Sequence, residues 1–143
     1  MHALTYESRA LRGLPTEEIH NILQTATKFN SENDISGCLI YHNQQFIQVL
    51  EGEKEGVQEL FARIRLDSRH KNIRLISEDT IEERTFPRWG MAFCPLDDKE
   101  ASHSEVLQFR NNMKLLYDFS EPTSVTVRIF WKKVKFLISQ PPN

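Results

Sequence analysis

Two residues of this chain have polar ends on strand-like faces that otherwise read as apolar: Tyr6 and Gln48. Alternation along residues 45–50 sends Phe46, Gln48 and Leu50 to one face, and Gln45, Ile47 and Val49 to the other. A buried primary amide carries two donors and two acceptor sites, and each group left unpaired costs roughly 1–3 kcal/mol. Gln48 therefore faces solvent or meets a polar partner. Tyr6 is a candidate, because a phenol both donates and accepts. The two could hydrogen-bond to each other, and the ordinary structural reading of such a pair is a buried tyrosine satisfied by an amide.

Other residues invite ordinary readings too. Asn30 sits where the first helix is expected to stop, where a helix C-cap is the bland explanation. Asp67 and His70 fall at helical spacing, as capping and solvation or as titratable members of a site. Trp89 and Met91 share one face of a short apolar segment and, as a bare pair, read as ordinary core or lid packing. Motifs for enzymatic chemistry are missing: the sequence has no phosphate-binding Gly-rich loop, no Gly-x-Ser-x-Gly, no His-Glu-x-x-His and no cysteine pair at zinc spacing.

The elements that must hold these residues follow from periodicity. Residues 3–8 alternate as a first strand with Leu4, Tyr6 and Ser8 on one face. Pro15 to Glu18 opens a helix, with Thr16 as N-cap and two acids in its first turn. Ile19, Ile22, Leu23, Ala26 and Phe29 give it an apolar face, and it is expected to end near Asn30. Residues 36–41 form a second strand, with His42, Asn43 and Gln44 turning into the strand that carries Gln48. Val57, Leu60, Phe61 and Ile64 mark a second amphipathic helix running to about Asp67. Residues 73–76 read as a fourth strand, 78–88 as a charged connection, and 89–93 as a short fifth strand. The order β-α-β-β-α-β predicts a ferredoxin-like α+β sandwich, with the first and third strands adjacent in mid-sheet and both helices on one face. Tyr6 and Gln48 are then within reach of each other.

The Gln48 strand is apolar on both faces, while two helices cover only one. Residues 105–119 and 123–138 both fit helices; the second also alternates like a strand, but Pro122 and the cationic Arg128, Lys132 and Lys135 favour an amphipathic helix. This pair is expected to cap the free face. The cationic face of the second reads as solvated, since a few charges are weak grounds for a membrane-surface or partner helix. Residues 1–96 are assigned to the sheet domain and 97–143 to the cap.

Across 143 residues the formal net charge is −2, with both signs interleaved, which argues against nucleic-acid binding. No apolar run reaches membrane-spanning length, and Met1 to Tyr6 do not read as a signal peptide, so a cytoplasmic protein without stable membrane insertion is expected. Cys38 and Cys94 are expected to be buried, reduced thiols.

Taken in order, Tyr6 with Ser8, Asn30, Ser36-Gly37, Phe46-x-Gln48-x-Leu50-Glu51-Gly52, Asp67-x-Arg69-His70 and Trp89-x-Met91 resemble the BLUF family, the blue-light sensors that use flavin. The resemblance covers residues 3–94. Beyond Pro95 it extends to short members with capping helices and no catalytic domain. It implies a noncovalent flavin between the two sheet-packed helices: FAD, with FMN or riboflavin as alternatives, because the phosphate or adenine end would reach solvent and needs no distinctive motif. Ser8, Asn30, Gln48, Asp67, Arg69 and His70 are the implied contacts. Tyr6 and Gln48 are the implied photoactive pair, with Trp89 or Met91 near Gln48. Output would pass along the last strand and the capping helices to an effector protein the sequence does not identify, and self-association through the cap is expected. The competing readings are a light-independent interaction module and a small ferredoxin-like enzyme.

Overall fold

A computed structural model describes residues 1–86 and 124–139 of the chain. Four strands form one sheet: β1 (His2–Ala10), β2 (Ser36–His42), β3 (Gln45–Gly52) and β4 (His70–Thr80). Their order is β2-β3-β1-β4, every neighbour antiparallel. That is the ferredoxin-like arrangement, reached when two right-handed crossovers each return a strand to the same sheet. The crossover elements are α1 (Thr16–Glu32) and α2 (Lys54–Arg65). The tight β2–β3 connection is made by Asn43 and Gln44, both at positive φ (53° and 63°), the backbone that matches a two-residue hairpin to strand twist.

The side-chain alternation of β3 divides the core. Leu50 joins Leu4, Tyr6, Ile35, Val57, Leu60 and Phe61 beneath α2, and Phe46 joins Ala10, Ile19, Leu39 and Tyr41 beneath α1. On the opposite face Ile47 and Val49 join Cys38, Ile40 and Phe86 beneath a third helix, α3 (Val125–Ser139), which contributes Val127, Phe130, Trp131, Val134 and Leu137. Each such large apolar side chain contributes about 1.5–3 kcal/mol when removed from water, so the third helix is an integral layer. Ser124 caps it: its hydroxyl accepts the Val127 N–H (3.2 Å) and donates to Asp79 on β4 (2.9 Å).

Several sequence-based boundaries move. Pro15, not Thr16, occupies the N-cap position of α1, and the helix continues through Asn30 to Glu32. Asn33 is the C-cap, its backbone N–H and side-chain amide both donating to the Phe29 carbonyl. The Asn30 side chain is thereby released from capping, although its carbonyl still accepts the Asn33 and Ile35 N–H groups. Helix α2 ends at Arg65, so Asp67 lies in the following turn and His70 opens β4. Strand β4 is longer than residues 73–76, because β1 pairs with it from Ala10↔His70 to His2↔Thr80; Glu78, Asp79 and Thr80 belong to the strand, not to a connection. His42 closes β2 and is fully buried instead of lying in the turn. The fifth strand over 89–93, the helix over 105–119 and Cys94 lie outside the described residues.

Candidate functional site

Tyr6 on β1 and Gln48 on β3 are direct cross-strand partners on the face toward α1 and α2. The Tyr6 hydroxyl donates to Gln48 Oε1 at 2.7 Å, with both side chains buried. Burial, and secondarily the negative charge of Asp67, push the phenol well above its ordinary pKa, so the proton stays on Tyr6. The Tyr6 ring packs on Phe61 at 5.3 Å between centroids. Behind the pair, the Thr5 hydroxyl donates to the Gln48 carbonyl (2.8 Å), pinning the backbone of Gln48 and leaving its side chain to be positioned separately.

The pair forms one wall of a cavity of about 230 Å³ between the sheet and the two helices. Its apolar lining is Ile22, Ala26 and Phe29 from α1, Leu39 and Phe46 from the sheet, and Leu60 and Ile64 from α2; Asn30, Asp67, Arg69 and His70 add polar groups. Such a slot, apolar on its walls with a few converging polar groups, suits a planar aromatic ligand with a polar edge.

Asn30 is the sharpest indicator. It is 1% exposed and lines the cavity, and neither amide atom has a hydrogen-bond partner among the described residues. A donor and an acceptor left unpaired side by side call for a ligand edge that offers the complementary pair. The pyrimidine edge of a flavin does so, and on this ground the donor set fits the cofactor that the sequence resemblance implies.

Asp67 and Arg69 form a clasp at the cavity. Arg69 Nη2 and Nε donate to the Asp67 carboxylate (2.6 and 3.0 Å), the Arg69 backbone N–H adds a third bond (3.0 Å), and Glu18 on α1 stands 3.9 Å from Arg69 Nη1. The hydrogen bonds from Arg69 hold Asp67 below the ordinary carboxylate range. A depressed pKa supplies stability that is complete above the unfolded value, near 4, and is lost as pH falls through the folded value. Asp67→Asn should therefore flatten the acid limb of the stability profile. Because the pair is partly exposed, the difference should not exceed about 1 kcal/mol. Urea midpoints between pH 3 and 7 check it, and an unchanged acid limb would count against the clasp.

His70 is held at both nitrogens. The Ile64 carbonyl, in the last turn of α2, can only accept, so Nε2 donates to it (2.7 Å); in the neutral ring Nδ1 then accepts from the Ser8 hydroxyl (2.7 Å). With both nitrogens engaged, His70 contributes its ring to the cavity lining and, with Phe46, makes an edge-on aromatic contact (6.2 Å). Ser8 does not line the cavity and acts on it through His70. Of the implied site residues the structure thus brings together Tyr6, Asn30, Gln48, Asp67, Arg69 and His70, with Ser8 one step behind, while Trp89 and Met91 lie outside the described residues. Sequence reasoning missed Thr25 and Arg63, which also line the cavity; Arg63 stands over the Phe29 ring at 5.2 Å. Helical spacing alone could have found Arg63, three residues after Leu60.

Among the described residues no helix is long and apolar enough to cross a membrane. The family described as sensors of blue-light using FAD matches residues 1–92. The beta subunit of a photoactivated adenylate cyclase from Euglena gracilis is 38% identical over 105 residues, 66% of this chain and 12% of that protein. The blue light- and temperature-regulated antirepressor BluF of Escherichia coli K12 is 32% identical over 105 residues, 73% of this chain and 26% of that protein. This chain therefore spans about an eighth of the cyclase subunit and about a quarter of BluF. The structure titled BlsA photo-activated state superposes with a TM-score of 0.65 at 28% identity, covering 100% of this chain and 99% of that one.

Proposed function

The chain belongs to the BLUF family, the sensors of blue light using FAD, and from that membership we propose that the Tyr6–Gln48 pair is its light-responsive element. As a member of a sensor family it is a photoreceptor module, not an enzyme. The observation that carries the reading is the buried 2.7 Å bond between Tyr6 and Gln48 on the wall of a cavity whose Asn30 amide lacks a protein partner.

Asn30 would hold the polar edge of the flavin, with Asp67, Arg69 and His70 completing the polar rim. When bound, the flavin supplies the absorption of blue light and, once excited, a strong one-electron oxidant. Tyr6 is the residue suited to give up that electron. Its phenol is buried and firmly protonated, so losing an electron makes the proton strongly acidic and sends it across the short bond toward Gln48 Oε1. Gln48 can relay, because its amide offers an acceptor at one end and a donor at the other. When the electron and proton return, the phenol is restored and the amide is left rotated or tautomerised. The heavy-atom framework of the chain is unchanged, at most a proton has moved between the two ends of the amide, and the lasting change is which groups Gln48 donates to and accepts from. The Thr5 bond to the Gln48 carbonyl supports this division of labour, fixing the backbone while the amide turns.

The altered amide would bias the segment with Trp89 and Met91, and α3, toward a second arrangement, and so reach a protein partner. The names of the matched relatives, a photoactivated cyclase subunit and a light-regulated antirepressor, support a module that passes a light signal to another activity. We assign residues 1–96 to the sensor and 97–143 to this output segment, which would also serve self-association. The purified flavin-loaded chain should show a red shift of its absorption after blue light that reverses in the dark; a spectrum unchanged by light would overturn the reading.

A further inference from the structure

Glu51 lies three residues beyond Gln48 on β3 and points to the opposite face of the sheet, where it is 0% exposed. Its carboxylate brackets two successive backbone N–H groups, Oε2 accepting from Thr85 at 2.9 Å and Oε1 from Phe86 at 2.7 Å. Burial pushes the Glu51 carboxyl above its ordinary range while the Thr85 and Phe86 N–H groups and Arg84 oppose that shift, so a fastening of this kind is an expensive choice for a segment that any neutral acceptor could hold. Charge-assisted bonds to two consecutive donors do what a single neutral bond does not: they fix both the position and the direction of the segment.

Arg84, the first residue of the same segment, fastens it further. Its guanidinium donates to the Ser36 hydroxyl at the start of β2 (2.8 Å), to the Glu51 carbonyl (3.0 Å) and to the Asp34 carbonyl (2.7 Å). The carbonyl of Asp34 can approach β3 because residue 52 is glycine; a Cβ there would meet it at 3.2 Å. Residues 84–86 are thus riveted to the end of the strand that carries Gln48. Phe86 then passes the connection on. Its ring is edge-on to Phe130 (6.4 Å) and tilted against Trp131 (6.0 Å), both buried side chains of α3.

We propose that Glu51 is the coupling residue of the sensor, transmitting displacement of the Gln48 strand through the Thr85 and Phe86 backbone to the aromatic seat of α3. This inference rests on Gln48 being the light-responsive group. It adds to the route through residues after Phe86 a rigid link that begins on the photoactive strand itself. Glu51 touches neither Tyr6 nor the cavity lining, so it is a positioning residue: removing it should leave the photochemistry in place and sever its consequence.

The test uses the flavin-loaded full chain, with two readouts on each variant: the light-induced red shift, and the light-minus-dark change in amide hydrogen exchange over residues 125–137. Glu51→Gln keeps one acceptor but cannot bracket both N–H groups. It should keep a red shift of wild-type size while the light-induced exchange change in α3 falls at least about fivefold, the lower end of ordinary coupling between sites. Phe86→Leu leaves the Glu51 bonds intact and removes the ring from Phe130 and Trp131; it should uncouple in the same way, and it decides the matter if Glu51→Gln does not fold. A wild-type exchange response in either variant overturns the proposal. So does a wild type that red-shifts without any change in α3, or a Glu51→Gln protein that folds and binds flavin but no longer red-shifts. A wild type with no red shift at all sinks instead the assignment of Gln48, and this coupling with it.

Discussion

Tyr6→Phe should bind flavin and show no light-induced red shift. The substitution removes one oxygen atom from a ring that is 4% exposed, and the contact of that ring with Phe61 survives, so the cavity wall is preserved. What disappears is the donor of the 2.7 Å bond to Gln48 Oε1 and, with it, a side chain able to lose an electron and a proton together. Phenylalanine has no acidic hydrogen to pass on. The stability cost is an acceptor left without its donor, roughly 1–3 kcal/mol, reduced to the extent that Gln48 turns toward the cavity. Tyr41 supplies the control. It is also buried on the α1 and α2 face of the sheet, against Phe46 at 4.9 Å between centroids, but does not line the cavity. Tyr41→Phe should therefore keep a wild-type red shift. Light-minus-dark absorption spectra of both variants settle the comparison: a normal shift in Tyr6→Phe, or its loss in Tyr41→Phe, removes the special role of Tyr6.

The Tyr6–Gln48 contact was legible in the sequence because two regular rules fix it. Alternation sets the face of each side chain, and the β-α-β-β-α-β order places the first and third strands side by side; the observed register pairs the two residues directly. The same reasoning foresaw the cap, since Ile47 and Val49 on the second face of β3 need a cover, and α3 provides it. Asn30 was harder to place from its own segment. Polar residues at 31–34 look like a helix stop, and only the backbone shows that Asn33 takes the cap. Strand β4 was read too short because a strand that is outermost among the described residues, with a solvated face, needs little apolar alternation, so its length is set by its partner β1. Least legible were bonds between groups far apart in the chain with no periodic signal: His70 to Ser8, and Glu51 to the backbone at 85 and 86. A glutamate at the end of a strand reads as a solvated terminus until the segment that buries it is in view.

Asn30→Leu should trade flavin affinity for stability, and the sign of each change separates a binding residue from a structural one. The Asn30 amide is enclosed, and no described residue pairs with its donor or its acceptor. Each unpaired group carries a penalty of roughly 1–3 kcal/mol, which a leucine of similar volume does not incur. The side chain also shares the cavity lining with Ala26, Phe29 and Leu60, surroundings that receive an apolar group well. The flavin-free variant should therefore be about 1–3 kcal/mol more stable than the wild type, seen as a higher urea midpoint with an unchanged slope. Flavin binding should weaken about 10- to 100-fold, the equivalent of about 1.4–2.8 kcal/mol and the loss expected from one or two hydrogen bonds to the ring edge. Asn30→Ala is less informative, because the cavity it opens destabilises the protein for a different reason. Were Asn30 a structural residue of α1, Asn30→Leu would instead lower the urea midpoint and leave the flavin dissociation constant unchanged, and that pair of results would exclude it from the site. A residue that costs stability in the empty protein and repays it on binding is what a preorganised ligand contact requires: the polar group is held ready in a place the fold alone would have filled with carbon.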